Sequence, residues 1–218
     1  MTLSKRLQCA LDWIEKDNIV ADIGCDHGYL AMAALDKGVK HVQLIDNKID
    51  PLNKAKANLK NYDNNNCCTF SLASGLTMLE EEIDTVCMLG MGGYLIRDLL
   101  IEGSDKIKSN QKFILEANNH VDVLRKYLFD NGFKIIDENI CLDNKKYYEL
   151  MLCVKSNEAF EYDQNDLIFG PILIKEKSAI YKSKWTEKLN KFLEIVNIND
   201  VSDVRKKIEL IKENLWEK

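Results

Sequence analysis

Val20-Ala21-Asp22-Ile23-Gly24-Cys25-Asp26-His27-Gly28-Tyr29-Leu30 runs from a short apolar strand through a glycine turn into a helix. No other stretch narrows the fold as much. A strand that turns directly on glycines into a helix opens a parallel, doubly wound sheet and holds a ligand at the helix start. The acids in the turn restrict that ligand. The middle glycine of the dinucleotide fingerprint is missing, Asp26 stands in the loop, and Asp22 sits at the strand end. Carboxylates there repel a pyrophosphate and favour a ligand whose reactive end is positive. S-adenosylmethionine, with an ammonium, a sulfonium and no phosphate, fits that description. Asp46 ends the next strand, 24 residues beyond Asp22, where a carboxylate takes both ribose hydroxyls. Singly, Gly24 and Gly28 suit a plain turn and Asp46 a solvated loop; together they mark a cofactor site.

The rest of the chain alternates in the same way. A helix over Leu3 to Ile14 starts from a Ser4 cap, strands are expected at Ile19–Ile23 and His41–Ile45, and Pro51 opens a helix to about Tyr62. Asn64-Asn65-Asn66 is a loop, with strands expected at Cys68–Leu72, Thr85–Leu89 and Phe113–Leu115. A helix over Tyr94–Leu100 follows Gly90-Met91-Gly92-Gly93, and one over Val121–Phe129 stops at Asn131-Gly132. Phe133–Ile140 and Tyr148–Val154 form an antiparallel hairpin about Asp143-Asn144. The expected fold is α/β, a Rossmann-like sheet of seven strands with one antiparallel.

Beyond Ser156 the pattern changes. Trp185, Leu189, Phe192 and Val196 recur at helical spacing, as do Val201, Val204, Ile208, Ile211 and Leu215, with a turn over Asn197 to Asp200. The two stripes predict an antiparallel coiled-coil helical hairpin. The domains expected are 1–157 for the cofactor and 158–218 for the hairpin.

Charge bears on the partner. The net charge is −5, yet residues 155–218 balance 12 basic against 12 acidic groups, so the first part carries the whole deficit. Lys175 to Lys191 holds six lysines against Glu176 and Glu187, a basic strip suited to a polyanion. A helical projection turns most of these lysines away from the Trp185–Phe192 stripe. The longest apolar run, Tyr29 to Leu35, is far too short to span a bilayer, and Lys5, Arg6 and Asp12 interrupt any secretory pattern. Seven cysteines without a C-x-x-C pair fit a reducing cytoplasm and give no zinc site, and His41 and His120 have no partners at ligand spacing. No metal and no membrane contact are expected, and the chain is expected to be cytoplasmic and monomeric.

Three segments resemble the bacterial tRNA (adenine(22)-N1)-methyltransferases: the L-S-K-R-L opening, D-I-G-C-D-H-G-Y-L, and G-M-G-G-Y-L-I-R-D-L-L. The likeness continues through Asp143-Asn144-Lys145-Lys146-Tyr147-Tyr148-Glu149 and through Phe169 to Lys177, so it covers nearly the whole chain. It implies a class I methyltransferase domain, a C-terminal coiled coil that binds tRNA, and methylation of adenine N1 in the D-loop region. Cofactor contacts are implied for Asp22, Gly24, Cys25, Gly28, Asp46, Asn47, Ser74, Gly75, Gly90, Met91 and Gly92. Asp26, His27 and Asn118 are the implied catalytic positions. Where the family tends to read Gln-Pro-Asn after the fifth strand, this chain reads Glu116-Ala117-Asn118, so only Asn118 carries over.

The N1 atom lies on the Watson–Crick edge, so the base must leave its stack, and Tyr29 or Tyr94 is placed to stack on it. Lys182, Lys184 and Lys188 are expected to meet phosphates. Two other readings remain at this point: a methyltransferase for a small molecule or protein, and a silent RNA-binding adaptor. Neither uses both the acidic turn and the lysines.

Overall fold

The computed structural model describes residues 3–62, 66–156, 158, 160–198 and 202–216. Seven strands alternate with helices: β1 (Ile19–Ile23), β2 (His41–Asp46), β3 (Cys68–Leu72), β4 (Thr85–Met91), β5 (Lys112–Ala117), β6 (Phe133–Asp143) and β7 (Lys146–Lys155). The helices before the C-terminal segment are α1 (Lys5–Trp13), α2 (Tyr29–Lys37), α3 (Ile49–Asn58), α4 (Gly93–Glu102) and α5 (Val121–Asp130). Sheet order is β3-β2-β1-β4-β5-β7-β6. β7 runs antiparallel to both neighbours and the remaining pairs are parallel.

The central strands read as apolar runs because helices cover both faces. One face packs Leu11, Leu30, Leu44 and Leu59, and the other packs Ile45, Met88, Ile96 and Phe113. Ser4 caps α1 as its position suggests, its Oγ accepting from the Leu7 N–H at 3.3 Å. Three strands are longer than the apolar pattern implies. β4 continues through Gly90 and Met91, and β6 and β7 run into their turn, because ladder bonds persist after the hydrophobic alternation ends.

The C-terminal segment adds two short helices that periodicity does not reveal, α6 (Gln164–Phe169) and α7 (Leu173–Glu176), and then α8 (Ala179–Ile198) and α9 (Ser202–Trp216). α8 and α9 pack against each other. Trp185, Leu189, Ile208 and Ile211 are buried with Tyr181, Phe169, Leu173 and Ile140 in one cluster. The hairpin stripe is thus core, and it is shared with β6 rather than closed within the hairpin. α8 continues through Asn197 and Ile198, where a turn is expected from the sequence; Asn199 to Val201 and Asn64–Asn65 lie outside the described residues.

Candidate active site and nucleic-acid groove

β1 and β4 are neighbours whose connections leave in opposite directions, which opens a crevice at their C-terminal ends. A cavity of about 280 Å³ lies there, lined by Gly24, Asp26, Asp46, Asn47, Ser74, Gly75 and Met91, with Leu95 and Leu99 as its apolar wall. A second cleft of about 100 Å³ shares Gly24 and Asp26 and continues to Arg6, Asp22, Cys25, His27 and Tyr29. The glycine turn therefore separates an apolar end from a charged end.

Gly28 starts α2 at φ +71°, and a side chain there would meet Ala55, Leu59 and Leu44 at 3.1–3.3 Å. Its part is to seat α2 on α3, since it lines neither cleft. Asp26 takes φ +46°, strained for a residue with a Cβ, and its Oδ1 lies 2.8 Å from His27 Nδ1. The His27 ring stacks on Tyr29 with centroids 5.5 Å apart. Cys25 is 5% exposed and burial pushes its thiol up, so it contributes its carbonyl, which accepts from Gly28 N–H at 2.7 Å. Asp46 Oδ1 accepts from the Lys48 N–H at 2.9 Å.

Asp22 is buried, and its carboxyl is raised to about 7, first by loss of solvent and then by the Asp46 charge. Arg6 opposes that rise. A carboxyl held protonated more tightly in the fold than in the open chain stabilises the fold at low pH. That contribution falls as pH climbs from the ordinary carboxylate range through about 7. A cation bound beside Asp22 needs the ionised form, which sets the opposite trend for ligand binding.

Arg6 and Glu116 are residues the sequence did not single out. Arg6 Nη1 donates to Glu116 Oε2 at 3.0 Å, and the same oxygen accepts from Gly90 N–H at 2.8 Å. Gly90 has φ +78°, and a Cβ there would lie 2.6 Å from Arg6 Nη1, so glycine permits the approach. Asn118 completes the frame, its Nδ2 donating to Gly90 O at 2.7 Å and its backbone N–H to Met91 O at 2.8 Å. Glu116 Oε1 is buried without a partner among the described residues. The L-S-K-R-L opening contained Arg6, but its partner stands 110 positions away.

Of the remaining expected positions, Gly90 and Gly92 line neither cleft, and Gly92 packs beside Asn119. Tyr29 and Tyr94 are exposed; Tyr94 lies 4.5 Å from the His120 ring and under Arg97 at 4.9 Å. His120, which has no partners at ligand spacing in the sequence, therefore flanks a candidate stacking residue.

A groove of about 1010 Å³ runs from Arg6 and Asn118 to α8. Arg6, Lys145, Lys146, Lys184, Lys188 and Lys191 line it against Asp143 and Glu187. The lysine strip is not the free face expected from the helical projection. Lys184 pairs with buried Glu149 and is itself held well below the usual lysine range by burial. Lys188 lies 4.8 Å from the Trp185 ring centroid, and Lys182 is exposed but lines no cavity described here. Folding α8 onto β6 brings Lys184 inward, because Trp185 and Tyr181 have to reach the shared core.

Among the described residues no cluster of three His, Cys, Asp or Glu is arranged to hold a metal, and no helix is long and apolar enough to cross a membrane.

A family model described as tRNA (adenine(22)-N(1))-methyltransferase matches residues 20–218. The chain is 30% identical to the tRNA (adenine(22)-N(1))-methyltransferase of Bacillus subtilis, over 98% of this chain and 92% of the relative. The crystal structure of the B. subtilis M1A22 tRNA methyltransferase TrmK superposes with a TM-score of 0.83 at 28% identity, covering 98% of this chain and 99% of the other. Sp1610 of Streptococcus pneumoniae, crystallised in complex with S-adenosyl-L-methionine, superposes with a TM-score of 0.91 at 30% identity, covering 98% and 100%.

Proposed function

The chain belongs to the tRNA (adenine(22)-N(1))-methyltransferase family, and from that premise we infer how its residues carry the reaction. The protein methylates N1 of adenine 22 in tRNA, with S-adenosylmethionine as the methyl donor. The observation that carries this reading is the junction at Arg6, which lines both the basic groove and the acidic cleft at the glycine turn.

The clefts fit the cofactor's functional groups. We assign Asp46 to the ribose hydroxyls, Leu95 and Leu99 to the adenine, and Asp22 to the ammonium. Arg6, pinned by Glu116, is the cation for the carboxylate. Once bound, the cofactor supplies an electrophilic methyl on sulfur.

Adenine N1 is unprotonated at neutral pH, so no strong base is required. Asn118 gives its Nδ2 to Gly90 O, which leaves Oδ1 to accept from the exocyclic amine of the target base. Asp26, steered by His27, puts negative charge beside a base that becomes positive on methylation. Tyr94 offers the stacking face for the extruded base. We assign residues 1–157 to catalysis and 158–218 to tRNA recruitment. The working form is a cytoplasmic monomer.

Mapping methylated positions in tRNA after incubation with labelled cofactor tests the assignment directly. A mark at adenine 22 is expected, and labelling of another position or of no RNA would overturn it. Cofactor affinity, by calorimetry, should rise as pH climbs through about 7, because ionised Asp22 receives the ammonium. Asp22→Asn should flatten that profile and weaken binding at pH 8 by about tenfold or more.

The groove carries a separate expectation. Lys145, Lys146 and Lys188 are exposed along it. Changing all three to alanine should weaken tRNA binding and reduce the salt slope by up to about three, since each phosphate contact contributes about one. An unchanged slope in filter binding would place the phosphates elsewhere.

A further inference from the structure

A cavity of about 490 Å³ lies between the end of β5 and the helical hairpin, a volume ordinary for a ligand site. Asn118, His120 and Asp122 form one wall; Trp185, Lys188, Phe192 and Lys207 belong to the other. It shares Asn118, Tyr147, Lys184, Lys188 and Phe192 with the basic groove, and no residue with the 280 Å³ cofactor cavity. The target base must present N1 at the cofactor clefts, and this cavity shares no lining residue with either cleft, so it offers room beyond that base.

Its chemistry is that of a nucleotide site. Glu149 in its wall is neutralised within a buried group, Arg125 and Lys184 balancing Glu138 and Glu149. What remains is Lys188 and Lys207 against Asp122. The floor is aromatic. Lys184 and Lys188 lie 4.6 and 4.8 Å from the Trp185 centroid, and Lys188 lies 5.9 Å from that of Phe192. Trp185 Nε1 is buried without a hydrogen-bond partner among the described residues. Aromatic faces beside lysines are how single-stranded nucleic acid is held, with bases stacked and phosphates paired.

Building on the tRNA reading, we propose that this cavity receives a second nucleotide of the tRNA, a neighbour of the target adenine that leaves the stack with it. Its base takes the Phe192 and Trp185 side, Lys188 moves from the indole to the phosphate, and Lys207 closes the rim. Asn118, shared by this cavity and the basic groove, stands between the two extruded bases.

The test uses full-length protein and tRNA transcripts carrying 4-thiouridine singly at each nucleotide flanking the target. One flanking position should crosslink to the peptide spanning residues 185–192. Lys207→Ala, at an exposed position, should cut that crosslink at least about fivefold and raise KM for tRNA while cofactor affinity stays unchanged. If both flanking positions crosslink only outside the hairpin while adenine is methylated, the second-nucleotide site is wrong and the methyltransferase reading stands. If no tRNA is methylated, both fall.

Discussion

Asn118→Ala is expected to lower kcat on tRNA by about 10²–10³-fold, the usual loss when one pre-set polar contact to a reacting group is removed. Cofactor affinity should change less than about twofold. The separation follows from position. Asn118 lines the groove and the cavity beneath the hairpin but neither cofactor cleft. The turn it touches has other anchors, because Gly90 N–H is held by Glu116 and Gly93 N–H donates to Asn119 O at 3.0 Å. The comparison is single-turnover rate against calorimetric affinity for the same variant. Equal losses in both would make Asn118 a scaffold for the glycine turn, and Asp26 would then stand alone at the transfer site.

Arg125→Ala is expected to destabilise the protein by about 3–5 kcal/mol, the range for removing one partner from a buried charge group. Arg125 is 1% exposed and donates through Nε and Nη2 to Glu138 Oε1 at 3.0 and 2.7 Å, and through Nη2 to Glu149 Oε2 at 3.0 Å. Its Nη1 also reaches the Leu167 carbonyl at 3.3 Å. Glu138 Oε2 accepts from Ile172 and Leu173 N–H at the start of α7, and Lys184 of α8 pairs with Glu149. The group thus fastens α5, the β6–β7 hairpin and three C-terminal helices at one point. Alanine would leave two buried carboxylates with one lysine. Urea unfolding followed by far-ultraviolet dichroism gives the measurement, and a loss under about 1 kcal/mol would show that apolar packing alone holds the hairpin. Replacing Arg125, Glu138, Glu149 and Lys184 together by apolar residues should recover part of the loss, since most of the cost lies in unpaired charge.

The same network explains why cutting the chain at residue 176 is a poor test of tRNA recruitment. Phe169 and Ile140 would lose Tyr181 and Trp185 from their shared cluster, and Glu149 would lose Lys184. A truncated protein reports on folding as much as on RNA binding. Substitutions at Lys145, Lys146 and Lys188 leave that core in place.

Much of the outcome was legible along the chain. The strand–turn–helix unit at Val20–Leu30, the strand-and-helix alternation, the reversed strand and the stripes of the hairpin each depend on residues within a few positions of one another. Turn chemistry and periodicity are local, and so they survive in a one-dimensional reading. The acidic turn likewise points by its local chemistry alone to a cationic, phosphate-free cofactor. What only the tertiary structure decided are pairings between distant segments: Arg6 with Glu116, Arg125 with Glu138 and Glu149, and Lys184 turned inward from a strip that looked solvated. Nothing in the local pattern of Lys184 differs from that of Lys182. The difference arises because α8 must lay Tyr181 and Trp185 on Phe169 and Ile140, and that contact fixes which neighbouring lysine faces a buried carboxylate and which faces water.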